Sequence, residues 1–509
     1  MSDERLPPRP PGEGIVWGTP AARWIMLATV AGSGLAFLDT STVNVALPAL
    51  GEDLGASVGG LQWTVNGYTL ALASLILLGG SLGDRLGRRR VFQIGVLWFT
   101  LASLLCGLAP NVGTLVAARV LQGVGGALLT PASLAILQAS FTQEDRARAV
   151  GAWSGLSGIA AAAGPLIGGW LIDALSWRWI FFINVPLAIV VLAVSARHIP
   201  ESRDAEAVPG FDVTGALLAI LGLAGVTWAL IAAGESGASS PVVAVGGAGA
   251  VALGAFILVE RRSAHPMMPL TLFSSRQFSA VNAVTLTVYG GMSGMFFLLV
   301  IHLQQVLGYS ALAAGSALLP VTVLMLSLSA RAGALAERIG PRTPMTVGPL
   351  IMAGGLLLLL RVDADASYVG AVLPAVVVFG LGLSTTVAPL TATVMAAVDQ
   401  RHTGLASGIN NAISRGAGLL TVALLPTVSG LTGDAYRDPD IFAAGFRMAM
   451  VLSAALVAAG GLLAWLFVRD HLHDGREACP ASEAERQYHC AVDGTPLSAG
   501  RQQPPQPST

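Results

Sequence analysis

GGSLGDRLGRRR, residues 79–90, sets a dense cluster of charge between two long apolar runs. About eighteen nearly uncharged residues lie on either side, so the cluster reads as the short turn joining two membrane-spanning helices. Four arginines (Arg85, Arg88, Arg89 and Arg90) stand against one acid, Asp84, a positive-inside signal that assigns the turn to the cytoplasm. Gly79, Gly83 and Gly87 recur every four residues, which gives the preceding helix a face without side chains for a neighbour to approach. Asp84 stands where that helix ends.

The whole chain agrees with a membrane reading. Of its 509 residues 54% are hydrophobic and only 11% charged, too apolar for a soluble globular protein. The net charge of −1 carries no information about partners, and no basic stripe points to nucleic acid. All 28 basic residues are arginine. The three cysteines, Cys106, Cys479 and Cys490, do not make a disulfide scaffold. The last two lie near His471, His473 and His489, but no C-x-x-C or H-x-x-x-H spacing pre-forms a metal site, so no metal is expected. The first apolar run is too long for a signal-peptide core and lacks an A-x-A exit, so it is expected to stay as an anchor.

A sliding window of about 19 residues finds roughly fourteen candidate spans. They lie near 24–48, 61–82, 91–109, 114–138, 149–172, 179–197, 213–233, 242–259, 279–301, 312–335, 345–361, 368–390, 404–429 and 444–468. With the N-terminus inside, the outer loops hold only Arg178, Arg361, Arg437 and Arg447, while the inner segments carry the cluster at 85–90 and most other arginines. That asymmetry predicts an even helix number, both termini cytoplasmic, and a multi-pass protein of the cell (inner or plasma) membrane.

An internal repeat locates the halves. GSLGDRLGRR (Gly80–Arg89) aligns without gaps to GALAERIGPR (Gly333–Arg342), keeping glycine, leucine, acid, arginine, glycine and arginine in register. The expected organisation is an N-terminal tail (1–23), a six-helix half (24–198), linkers with an inserted helix pair (199–277), a second six-helix half (278–468) and a disordered cytoplasmic tail (469–509). The fold class is all-α integral membrane.

The turn at 79–90 resembles the signature between the second and third helices of the major facilitator superfamily, roughly G-x-L-[AG]-D-R-x-G-R-[KR]. Gly80, Leu82, Gly83, Asp84, Arg85, Gly87, Arg88 and Arg89 match it. The resemblance implies that Gly80, Gly83, Asp84, Arg85, Gly87 and Arg88 form a cytoplasmic gate whose charges bridge to neighbouring helices and release during transport.

Asp39 lies inside the otherwise uncharged first span, where a carboxylate costs about 2.5 to 3.5 kcal/mol on insertion scales and is a functional candidate by default. FLDTSTVNVALPAL around it resembles the L-D-x-T-x-V-N-V-A-L-P signature of drug:proton antiporters, specifically the fourteen-helix branch of the superfamily. Leu38, Asp39, Thr42, Val43, Asn44, Val45, Ala46, Leu47 and Pro48 match, with the interior threonine displaced within Thr40–Thr42. In the fourth span, LVAARVLQGVGGALLTP resembles the family's R-x-x-Q-G-x-G-[GA]-A motif and supplies a second buried charge, Arg119, with Gln122 about one turn along on nearly the same face. Asp39 lies nine residues before Pro48, read as the outer end of its helix, and Arg119 eight after Asn111. At about 1.5 Å per residue both sit roughly 12 to 14 Å below the outer surface, so the two charges are expected to meet and to form the proton-coupling site.

GLSGIAAAAGPLIGGW in the fifth span resembles the G-P-x-x-G-G element of antiporters through Gly164, Pro165, Gly168 and Gly169. Physically it is a side-chain-free face with a proline that removes one backbone bond. WTVNGYTLA (Trp63–Ala71) and GLASGINNAISRGAG (Gly404–Gly418) resemble other helices of the same branch. Candidates for the substrate cavity are Asn44, Trp63, Tyr68, Gln122, Asn282, Tyr289, Gln304, Asn410, Asn411 and Arg415. His302 is expected at the interface.

The resemblance implies a proton-coupled antiporter that exports amphipathic small molecules such as drugs, antibiotics and other toxic compounds by alternating access. It needs no cofactor beyond the proton gradient, and its partners are substrate, protons and the bilayer. The alternative is a dedicated exporter of one endogenous metabolite or lipid. No G-x-x-x-x-G-K-[ST] occurs, and one isolated intramembrane acid is too little for a membrane enzyme.

Overall fold

The computed structural model describes residues 14–203, 212–263, 266–399, 402–433, 435 and 438–470. The chain is helical throughout the described residues, with one isolated bridge between Ile15 and Phe141. Fourteen helices follow in order: α1 (Pro20–Leu54), α2 (Val58–Leu86), α3 (Arg88–Gly107), α4 (Val112–Ser140), α5 (Gln143–Ala174), α6 (Trp179–His198) and α7 (Val213–Ser236) come first. Then come α8 (Ser240–Arg262), α9 (Arg276–Gln305), α10 (Ala311–Ile339), α11 (Arg342–Arg361), α12 (Tyr368–Ala396), α13 (Thr403–Val428) and α14 (Pro439–Phe467). Among the described residues thirteen are long and apolar enough to cross a membrane. The exception is α13, which carries Asn410, Asn411, Ser414 and Arg415 in its middle. The protein is an all-α, multi-pass membrane protein.

Helix ends follow local chemistry. Thr19 accepts from Ala22 N ahead of Pro20 to start α1, Ser57 accepts from Gly60 N to start α2, and Asn111 and Thr114 form a capping box at α4. Two boundaries differ from the sequence reading. The first helix does not end at Pro48: it runs through that proline to Leu54 and stops at Gly55 in the left-handed conformation, φ 63°. Nor is the cluster at 79–90 a loop, because α2 continues to Leu86, α3 begins at Arg88, and Gly87 alone makes the turn.

Gly87 has φ 113°, and a Cβ there would lie 2.6 Å from Glu201 Oε1. Its counterpart in the repeat, Gly340, also has positive φ, 85°, between α10 and α11. The parallel extends to the arginine two residues on. Arg89 donates from Nη1 to Ile199 O just past α6 (3.0 Å), and Arg342 donates from Nε to Trp465 O near the end of α14 (2.8 Å). In each set of six helices the glycine turn is thus tied to the end of the sixth.

The inserted pair α7 and α8 pack on each other, and α7 lies against both α2 and α13. Ser57 Oγ donates to Glu235 Oε1 (2.6 Å) and Thr427 Oγ1 to Leu230 O (3.4 Å), so α7 covers the seam between the first six helices and the last six. At the end opposite the glycine turns, further hydrogen bonds close that seam. Gln62 Nε2 donates to Val422 O (2.7 Å) and Ala423 O (3.0 Å), Val58 N to Gly433 O (3.0 Å), and Gln304 Nε2 to Val45 O (3.0 Å). Toward the arginine end α5 and α10 part: a Cβ on Gly158 would meet only Leu326, at 3.9 Å, and Gly155 and Gly151 face open space. The space between the two sets is therefore open at the arginine end on the side between α5 and α10.

Candidate functional site

Asp39 and Arg119 meet. Arg119 Nη1 donates to Asp39 Oδ2 at 2.5 Å, with side-chain exposures of 1% and 0%. Gln122, three residues along α4, completes the site: its Nε2 donates to Asp39 Oδ1 (2.7 Å), and its Oε1 accepts from Arg119 Nη1 (2.6 Å). Arg119 Nε donates to Thr64 O of α2 (3.1 Å), and the guanidinium lies 4.5 Å above the Tyr68 ring and 5.9 Å from that of Phe181. Side chains of α3 and α6 hold Gln122 in turn. Ser103 Oγ accepts from Gln122 Nε2 (2.7 Å) and Asn184 Nδ2 (3.2 Å), and the fully buried Cys106 thiol lies 3.6 Å from Gln122 Oε1.

Five helices therefore converge on one ion pair that is nearly saturated with donors and acceptors. A buried pair is tolerable only when its lone pairs and protons are largely met, and here both Asp39 oxygens and the Nε and Nη1 of Arg119 are bonded. The sequence reading did not include Thr64, Ser103, Cys106 and Asn184 in the site. Thr64 acts through its carbonyl, which no side-chain pattern reports.

Asp39 does not face the space between the two sets of helices. The part-exposed residues of α1 at this level are Phe37, Thr40, Ser41 and Asn44, which form one stripe at helical spacing, and Asp39 points the other way into α3 and α4. Asn44 is thus on the open side, and Trp63 is part-exposed on α2. From the last six helices, Tyr289, Asn411 and Arg415 are part-exposed. Asn282 and Asn410 are instead engaged with each other: Asn410 Nδ2 donates to Asn282 Oδ1 (3.0 Å) and Thr285 Oγ1 (2.7 Å), pinning α13 to α9. Gln304 belongs to the closed end. His302 lies near the end of α9, buried, bonded at Nε2 to Val362 O (2.9 Å) and stacked 4.0 Å from Phe446.

The Gly164–Gly169 segment is a two-sided joint. Cβ atoms on Gly164 and Gly168 would lie 2.6 Å from Ser41 Cβ and 2.9 Å from Thr42 Cβ of α1. One on Gly169 would lie 2.5 Å from Leu312 Cα of α10, and one on Gly315 would press on Pro165 (2.9 Å to its carbonyl carbon). Close to this joint Asp173 accepts from Ala311 N (3.1 Å) and Leu312 N (3.0 Å), so an acid of α5 caps the start of α10. The sequence reading gave Asp173 no role.

At the arginine end Asp84 pairs with Arg88 at 2.8 Å, one turn away. Glu201 accepts from Arg89 N (3.1 Å) and lies 3.8 Å from both Arg89 Nε and Arg90 Nε. It offsets the positive N-terminus of α3 and the arginines placed unfavourably there. Arg85 is also engaged. Of the glycines here Gly80 lies 3.7 Å by its would-be Cβ from Pro131, and Gly83 faces open space. Helix approach is thus confined to Gly79, beside Ala127 and Leu128 of α4.

The sequence model of the Major Facilitator Superfamily matches residues 29–422. The chain belongs to that superfamily. Among similar superfamily members, the puromycin resistance protein of Streptomyces alboniger is 36% identical over 91% of this chain and 94% of its own length. The multidrug resistance protein Stp of Mycobacterium tuberculosis is 35% identical over 82% and 77%, and the tetracenomycin C resistance and export protein of Streptomyces glaucescens 34% over 81% and 77%. The fold matches a bacterial Spinster homologue solved inward-facing and unoccupied (TM-score 0.63, 16% identity, 88% of this chain and 97% of that one). It also matches a D-xylose–proton symporter (TM-score 0.62, 16% identity, 88% and 98%). The protein is a membrane transporter whose relatives are drug-resistance and antibiotic-export proteins.

Proposed function

We propose that the protein is a proton-coupled antiporter that exports amphipathic small molecules across the cell membrane, with both termini in the cytoplasm. The observation that carries this reading is the Asp39–Arg119–Gln122 site, a carboxylate that can change charge in a place where charge is expensive. Arg119 and Gln122 hold both oxygens of this carboxylate, so a change in access at the site would bear directly on its partners. Protonating Asp39 would strip Arg119 of its anion and leave only neutral partners, Thr64 O, Gln122 Oε1 and the Tyr68 ring.

The route to the gates is short. Asp39 stands six residues from Val45, whose carbonyl holds Gln304 at the closed end, and Thr64 stands two from Gln62, which holds α13. A shift of α1 or α2 on protonation would be felt at both. The arginine-rich end is the cytoplasmic one on the positive-inside rule, so the open space faces the cytoplasm and substrate loads from inside. Export of antibiotic-like amphipaths is supported by the relatives, among them a puromycin resistance protein and a tetracenomycin C resistance and export protein.

Asp39→Asn tests the reading. Asparagine mimics the protonated acid, so the variant should lose accumulation against a gradient in everted vesicles and keep part of downhill substrate exchange. A variant that still concentrates substrate shows that Asp39 does not couple the proton.

A further inference from the structure

Midway along α13 stands a cation that no described group neutralises. Arg415 lies twelve residues from the start of α13 and thirteen from its end, so at about 1.5 Å per residue it stands near mid-depth. Its side chain is part-exposed, and among the described residues it makes no ion pair and no hydrogen bond. The one carboxylate at this depth, Asp39, has both oxygens engaged by Arg119 and Gln122.

Two contacts fix where Arg415 faces. Along the antiparallel seam of α2 and α13, Gln62 bonds to Val422 O, and a Cβ on Gly408 would lie 3.1 Å from Leu77. Arg415 and Gly408 are seven residues apart and so share a face. Interpolating between these contacts sets Arg415 opposite Thr69 and Leu70, across the seam from the first six helices. One turn earlier on the same side, Asn411 is also part-exposed and its carboxamide makes no described hydrogen bond.

A part-exposed mid-membrane arginine without an acid is costly to keep, and such residues mark substrate paths. The planar guanidinium fork matches a carboxylate or another delocalised oxyanion. We propose that Arg415, with Asn411 as a second donor, binds the anionic group of the substrate, so that the preferred cargo is a monoanionic amphipath bearing one carboxylate or acidic phenolate on an apolar body. The proposal rests on the exporter reading for the direction of movement, but the binding step stands apart from proton coupling.

The test uses three matched probes, pyrene butyrate, pyrene butanol and pyrene methylammonium. Their binding to purified full-length protein in neutral maltoside detergent is read by energy transfer from tryptophan. The wild type should bind pyrene butyrate at least tenfold more tightly than either of the others. Arg415→Gln should abolish that preference, Arg415→Lys should keep part of it, and Arg415→Glu should shift it to pyrene methylammonium. Equal binding of the three, no binding of the anion, or an anion preference that survives in Arg415→Gln would overturn the proposal. Selective binding of the anion without proton-driven movement in everted vesicles would support the anion site and count against the antiport reading alone.

Discussion

Removing either partner of the Asp39–Arg119 pair should destabilise the protein, but only one of the two losses should depend on pH. In Asp39→Asn the guanidinium stays buried at 1% exposure without an anion, and it cannot shed its proton, so the cost should be about 3 to 5 kcal/mol at any pH from 5 to 8. In Arg119→Met the carboxylate at position 39 has an escape, because it can take up a proton. Holding an ordinary aspartic side chain neutral at pH 7 costs about 4 kcal/mol, which sets a ceiling. The sign follows: the folded variant holds a proton that the unfolded chain releases, so the penalty should shrink by about 1.4 kcal/mol for each unit the pH falls. The neutral double variant Asp39→Leu with Arg119→Met should cost less than the sum of the two, since it leaves no orphaned charge. Reversible unfolding in mixed micelles of maltoside and dodecyl sulfate, followed by tryptophan fluorescence at pH 5, 6, 7 and 8, measures all three. Single costs below about 1 kcal/mol, equal pH slopes, or a strictly additive double variant would refute the view that this pair is a charge balance sealed from solvent.

Two further outcomes concern the closed end. Asp173→Ala removes both acceptors at the start of α10 and should cost about 1 kcal/mol there, raising roughly fivefold the rate at which a cysteine at position 304 is labelled by an impermeant maleimide from the outer side; an unchanged rate would detach Asp173 from the gate. Gly169→Val puts side-chain atoms where Leu312 Cα already stands 2.5 Å from a Cβ, so it should speed the same labelling and reduce export, whereas Gly151→Val, facing open space, should do neither.

What the sequence revealed and what it hid divide along physical lines. A charge in an apolar span is conspicuous because solvation makes it rare, so Asp39, Arg119 and Arg415 could all be found without coordinates. The meeting of Asp39 and Arg119 could also be expected from depth, although the marker used for α1 was wrong. Pro48 is compatible with a helix interior here, and α1 runs six residues further to Leu54. Partners that are chemically ordinary could not be found. Ser103 and Asn184 are short polar side chains of a kind that also bonds its own backbone, and Thr64 contributes only a carbonyl. Glu201 was hidden for a different reason, since it stands in a charged linker where an acid needs no explanation until its contact with Arg89 N is seen. Asn282 and Asn410 looked like lining residues because the sequence shows polarity but not direction, and the structure turns them toward each other.

In the proposed exchange, Arg119 and Arg415 would divide the work between them. They lie on the two sides of α2 at similar depth, Arg119 over the Tyr68 ring and Arg415 across the seam near Thr69. If Arg415 binds an anion, Coulomb's law alone would favour proton and substrate together, because protonating Asp39 adds positive charge nearby. Exchange must then be imposed by access. The structure has the required asymmetry: with the arginine end open, Arg415 is part-exposed while Asp39 is sealed at 0% and paired with Arg119. In the exchange proposed above, that pairing would be the state ready to load substrate. Proton uptake would need the opposite end to open, which breaks the bonds of Gln62, Gln304 and Asp173, and the parting of those same contacts would remove Arg415 from its position opposite α2. An anion leaving as a proton enters carries two charges inward in effect, so an inside-negative potential of 100 mV would add about 4.6 kcal/mol to the drive for export.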